Sequence, residues 1–242
     1  MKLDNIYTSF LKQSTISELM NAPWRTESKR ETYVTRGAYM YCTRGTHEEV
    51  LNKLEPNGVY INQSPMMTVK DCVPSSSEEK TFLGYPIEEL KGEMDGNFYS
   101  FGFCRSPLNP MKIAHVETGN SGSNYLFNYD PDTKVLPYGE EHKIFPCVPK
   151  LMPHLQPTPM GYAMGLNSSS LNLMNGVSNI GAMMAGLAKP SDGVEWDNGS
   201  SNVMIEGVPA LTTKSCLTCK YGGKIQLLTN GMEPTPPEFL ER

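Results

Sequence analysis

No stretch of this chain approaches the roughly 20 consecutive apolar residues that a membrane-spanning helix requires. The amino terminus, MKLDNIYTSFLKQ, has no apolar core of the secretory-leader type. Both absences point to synthesis and folding in the cytoplasm. Basic residues are not gathered into a stripe and the net charge is -5, which argues against a nucleic-acid partner. Catalytic signatures are missing too. There is no G-x-S-x-G elbow, no H-E-x-x-H, no glycine loop followed by Lys and Ser or Thr, and no dinucleotide fingerprint behind a strand. The acidic pairs Glu48-Glu49, Glu78-Glu79, Glu88-Glu89 and Glu140-Glu141 are adjacent, so their side chains diverge on a strand or a helix and read as solvated surface. The chain is not expected to be an enzyme. No clear internal repeat is evident.

Apolar residues are also scarce, at 38% of 242 residues, so the core must be modest. Breakers are plentiful instead. With 21 glycines and 19 prolines the composition fits short strands joined by many turns, a mainly β fold.

Residues 1–32 read as an N-terminal helical arm, with Ile6, Phe10, Ile16, Leu19 and Met20 on one stripe, a capping box at Thr15 and Glu18, and Pro23 as a stop. This arm either packs as an appendage or docks a partner. Residues 33–149 form the first part of the β domain. In YVTRGAYMYCTRG, Val34, Ala38, Met40 and Cys42 share a period of two, which turns the cysteine toward the apolar side. Residues 73–96 read as loop with one helical turn around Ile87 to Leu90. NFYSFGFCRSPLNP carries Cys104 in an aromatic run, residues 111–144 read as a polar insertion, and Pro146 and Pro149 flank Cys147 and restrict its backbone. Residues 150–202 are an insertion or extension, partly helical over Leu166 to Ala188 and too polar to span a bilayer, followed by a loop around Trp196. The last segment, 203–242, supplies a C-terminal hairpin turning at Gly222-Gly223.

Six cysteines without an export signal favour thiols or metal over a disulfide framework. Cys216 and Cys219 have C-x-x-C spacing, yet no second such pair and no H-x-x-H accompanies them. As a redox dithiol they lack a βαβ setting. Cys42, Cys104, Cys147 and Cys219 form a rival set, one from each strand-and-turn segment, able to hold a tetrahedral zinc ion and tie a thin β structure together. Buried free thiols are the third reading. His47, His115, His142 and His154 sit in polar or proline-rich surroundings that favour solvated side chains; His154, near Cys147, is a candidate to replace a thiolate.

VTRGAYMYCTRG at 34–45, MTVKD at 67–71, NFYSFGFCRSPLNP at 97–110, FPCVP at 145–149 and VMIEGVPALTTKSCLTCKYGGKI at 203–225 together resemble the PAAR-like domain family. Its relatives, the proline-alanine-alanine-arginine tip proteins, cap the spikes of contractile injection and type VI secretion systems. The resemblance implies a conical arrangement of short strands and hairpins on a trimeric β-helical spike, stiffened by a metal ion near its point. It assigns Cys42, Cys104, Cys147 and Cys219 as ligands of a structural zinc ion, with Cys72 and Cys216 additional to the pattern. The implied function is a spike tip for membrane puncture that also carries effector. It would be made in the bacterial cytoplasm, assembled at the particle tip, and delivered to the target cell or released. Its partners would be the trimeric spike, effector cargo and, transiently, the target membrane. Two alternatives are an effector-loading adaptor and a metal- or thiol-dependent toxin enzyme. A lone chain on a three-fold spike needs three comparable faces.

Overall fold

A computed structural model describes residues 3–22, 32–75, 81–82, 85–86, 95–119, 124–166 and 181–240. Strand outweighs helix, and the strands form small antiparallel sheets, the mainly β outcome that so many turn residues require. At the centre, three segments remote in sequence close a ring of backbone hydrogen bonds. The N–H of Val34 donates to the carbonyl of Leu211 at 3.1 Å, that of Leu211 to Met67 at 2.8 Å, and that of Met67 back to Val34 at 2.9 Å. All three side chains are fully buried in the main core. Single bridges complete the triangle, joining Tyr33 to Thr212, Thr35 to Met66 and Thr68 to Ala210. A buried threonine follows each ring residue and opens a turn. Ala38 donates to Thr35, Asp71 to Thr68 and Ser215 to Thr212.

Two of the three arms of this triangle are copies of one unit. A hairpin of Tyr60–Ile61 with Ser64–Pro65 leads into the first, and a hairpin of Met204–Ile205 with Val208–Pro209 into the second. Both turns need two residues in the left-handed region: Asn62 and Gln63 have φ of 49° and 66°, and Glu206 and Gly207 have 53° and 78°. The sequence follows suit. Val59, Ile61, Pro65, Thr68, Lys70 and Cys72 return at unchanged spacing as Val203, Ile205, Pro209, Thr212, Lys214 and Cys216. A repeat therefore exists where none was expected, hidden because the copies are short, far apart and different in their turn residues. Between them runs a strap. Trp196 donates its backbone N–H to Val69 and its indole N–H to Asp71, while Asp197 pairs with Cys216 on the other copy.

The largest sheet runs, in spatial order, Cys216–Thr218, Lys224–Leu227, Tyr39–Cys42 and Glu48–Val50, all antiparallel. Val34, Ala38, Met40 and Cys42 are buried as the alternation predicts. Tyr41, on the opposite face, is buried as well, because Leu11 and Ile16 of the N-terminal arm cover that face. The arm is two helices, Leu3–Thr8 and Gln13–Met20, rather than one striped helix. Thr15 lies inside the second helix, whose N-cap position is Lys12. Asp132 instead accepts the N–H of Gln13 at 2.8 Å and of Ser14 at 3.3 Å, satisfying donors that a helix start leaves open. Ile6 and Phe10 pack against Phe103, Leu126 and Ile144, so the described part of the arm belongs to the folded body.

Residues 111–144 are more than a polar insertion. Helix Pro110–Thr118 begins with Pro110 in its first turn and Asn109 accepting the N–H of Met111, and ends at Gly119 with φ 65°. The strand Lys143–Pro146 then pairs with Phe103–Cys104 on one side and Leu126–Phe127 on the other. Within 73–96 a small hairpin pairs Thr81–Phe82 with Tyr85–Pro86; the helical turn expected around Ile87 to Leu90 lies outside the described residues. Within 150–202, Leu155–Pro157 pairs with Ala188–Pro190 around helix Pro159–Ala163 and a helical turn at 181–184, while 167–180 of the expected helix lies outside the described residues. No helix among the described residues is long and apolar enough to cross a membrane.

Candidate metal centre

Cys42, Cys104, Cys147 and Cys219 reach one neighbourhood through a chain of backbone contacts. Cys42 ends its strand, and its carbonyl accepts the N–H of Gly45 at 2.9 Å. Gly45 bridges Cys104. Cys104 pairs with Phe145, and two residues on the N–H of Cys147 donates to Gly102 at 2.8 Å. Beyond Cys147 the chain reaches Leu151, which bridges Cys219. The circuit closes at the hairpin turn, where Cys219 donates to the carbonyl of Gly223 at 2.8 Å and Gly223 lies against Cys42. A Cβ at Gly223 would come within 2.5 Å of Cys42 Sγ, so only glycine lets the turn sit on that sulfur.

All four thiols are buried, and Cys42, Cys104 and Cys147 each lie close enough to feel the charge of another member of the set. Burial is the main reason that Cys42 is pushed up to about 11, with Cys219 and Cys104 raising it further. Cys104 is raised by burial against hydrogen bonds from Ser106 and Asn109, and Cys147 is raised well above its ordinary value by burial and then by Cys104 and Cys42. Metal-free, Cys42, Cys104 and Cys147 are held by burial as thiols rather than thiolates at neutral pH. A divalent cation would have to displace their protons. Among the described residues no group of three or more His, Cys, Asp or Glu already stands at metal-holding geometry, so filling the site would draw the sulfurs inward. The donor set suits a soft cation: four sulfurs from four segments, with the cations Arg44 and Arg105 beside them to offset a negative thiolate cluster. Arg105 is itself held by Asn128 at 2.6 Å and by the Gly45 carbonyl, and stands over the ring of Phe10 in the arm. A cleft of about 700 Å³, lined by Cys72, Tyr99, Cys147 and Lys150 among others, borders the site at Cys147.

The other candidates go elsewhere. Residues three apart on an extended strand face opposite sides, so the C-x-x-C spacing separates Cys216 from Cys219 instead of pairing them. Cys216 lies by Lys224 and Asp197, and Cys72 donates to the carbonyl of Val194 at 3.1 Å with its thiol pushed up to about 12, chiefly by burial. His154 lies 3.9 Å from Asp197 and within reach of Gln156, on the Cys216 side.

Two histidines contradict the expectation of solvated side chains. His47 is buried with Ser9 at 2.8 Å on Nε2 and Thr46 at 2.7 Å on Nδ1, and Phe10 meets it edge-on. His115 is buried against Glu140, 2.6 Å away, with Lys143 2.7 Å from the same carboxylate. Thr46 apart, the groups that bury them come from distant segments: Ser9 and Phe10 for His47, Glu140 and Lys143 for His115.

A family model described as a domain of unknown function (DUF4280) matches residues 34–232, so the chain belongs to that family. The match spans the three ring residues, both copies of the hairpin unit and all four clustered cysteines. No curated protein and no solved structure matches the chain.

Proposed function

We propose that this member of the DUF4280 family is a PAAR-like spike tip, a cone that caps the trimeric spike of a contractile injection system and stiffens it for membrane puncture. The observation that carries this reading is the ring of Val34, Met67 and Leu211 with its three threonine turns. A lone chain that sits on a three-fold axis must offer three comparable faces, and a closed triangle of backbone bonds, with two of its three arms duplicated, supports that requirement within one polypeptide. The duplicated hairpins add a second level of equivalence. Tyr60 and Met204, at matching positions, are 52% and 56% exposed, which leaves similar apolar side chains free for equivalent spike subunits.

In this role the work is mechanical. A structural zinc ion held by Cys42, Cys104, Cys147 and Cys219 would supply bonds that cross-link four remote segments, which a chain of modest core needs to resist compression. The residues themselves bury the site, position each sulfur through backbone pairing, and place Arg44 and Arg105 to balance charge. The tip would be made in the bacterial cytoplasm, assembled on the particle and carried to the target.

Co-expression with the trimeric spike protein of a contractile injection system, followed by mass measurement of the purified complex, tests the reading. One chain per trimer is expected, and Tyr60→Asp with Met204→Asp should abolish capture while leaving the circular dichroism spectrum unchanged. Three chains per trimer, or no capture of the wild type, would overturn it.

A further inference from the structure

From Leu151 through Ala188 the chain contains no Asp, Glu, Lys or Arg, in a protein where charged residues make up 19% of the total. The described parts of this stretch form one unit. Thr158 donates its N–H to Leu187 at 2.9 Å and its hydroxyl to Gly186 at 2.8 Å, while Leu187 donates to Ala182 at 2.9 Å. Among its described residues the buried apolar cluster is Ala182 and Ala188, with Leu155 and Leu166 partly buried against them and Pro157 and Gly161 buried nearby. The large side chains face out. Met160 is 63% exposed, Tyr162 60%, Met164 67% and Met184 85%. The described residues of the unit thus hold four large side chains out to solvent over a small buried cluster, a concentration that a free surface element does not normally carry.

We propose that this unit is a lipid-contacting surface that meets an anionic bilayer, its methionines and Tyr162 entering the headgroup boundary. Three features favour lipid over a protein partner. A protein interface is normally rimmed by charged and hydrogen-bonding residues, and this run has no charged residue to form a rim. Any carboxylate would be costly at a membrane, and none occurs between His142 and Ser191. The cations Lys150 and Lys189, both exposed, bracket the uncharged run where the chain enters and leaves the unit, as attraction to anionic headgroups requires. Flexible thioethers suit an irregular apolar medium. The described elements are too short to span, and the run 166–188 is too polar, so contact is interfacial. The inference deepens the puncture reading, on which it rests for the occasion of meeting a membrane. The unit also lies next to the candidate metal centre in the chain, since Leu151 is the bridge partner of Cys219.

The test is flotation of the full chain with vesicles of phosphatidylcholine, alone or mixed with phosphatidylglycerol. The wild type should float with the mixed vesicles and less with phosphatidylcholine alone. The variant Met160→Glu, Met164→Glu, Met184→Glu should lose binding by about tenfold or more while keeping its circular dichroism spectrum and its capture by the spike. The inference falls if the wild type floats with neither vesicle, or if the folded triple variant floats as well as the wild type. Loss of spike capture with vesicle binding intact would count against the tip reading alone; intact capture with no vesicle binding would remove this inference alone.

Discussion

Glu49 shows how much a single position can set the pH response. Its carboxylate accepts N–H groups from Val50 at 2.8 Å, Ser100 at 3.0 Å and Tyr99 at 3.2 Å. Burial outweighs these donors and pushes the carboxyl up to about 7 from an ordinary 4.5, with Glu48 adding to the rise. Between those values the folded chain holds a proton that the unfolded chain has released. Stability from this group is therefore complete below about pH 4.5 and is lost as pH rises through about 7. Denaturant unfolding across that window should show wild type losing on the order of 2–3 kcal/mol relative to Glu49→Gln. Parallel stability profiles for the two proteins would show that Glu49 is ionised in both states.

At the level of elements, the hairpin that carries Cys219 is positioned by what it lacks. Gly223 does not need glycine for its backbone angle; it needs the missing methyl, because Cys42 Sγ occupies that space. Gly223→Ala should cost about 1–3 kcal/mol through overpacking and should also lower bound metal, since the only relief is to move the turn or the sulfur. Unfolding midpoints and metal content measured together check this. A variant with wild-type stability and full metal would mean the turn is not pressed against the thiol. The same hairpin was legible in the sequence, as Gly222-Gly223 between apolar runs, and so was the inward face of Cys42. Helix Pro110–Thr118 was legible in principle, with its Asn-Pro start and Gly119 stop, but its weak apolar stripe obscured it. The buried histidines had no local signature at all, because Ser9 and Glu140 reach them from distant segments.

For the whole molecule, the decisive question is whether a metal clamps four segments that the modest core holds only loosely. Treatment with a strong chelator should lower the melting temperature by at least about 5 °C, and Cys72→Ser and Cys216→Ser should respond as the wild type does. Replacing Cys42, Cys104, Cys147 or Cys219 by Ser should produce the lowered value before chelation. Identical melting with and without chelator would remove the clamp and leave four packed thiols.

The amino-acid sequence by itself determined the mainly β character, the turn positions and the alternation that buries Cys42, because each is written in a few adjacent residues through backbone angle or a period of two. Only the tertiary structure decided that Val34, Met67 and Leu211 close a ring, that two hairpin units are equivalent, and that Cys104 and Cys147 join Cys42 and Cys219 while Cys216 and His154 do not. Those outcomes depend on hydrogen bonds and burial between segments far apart along the chain, where no local pattern records which partner will be met.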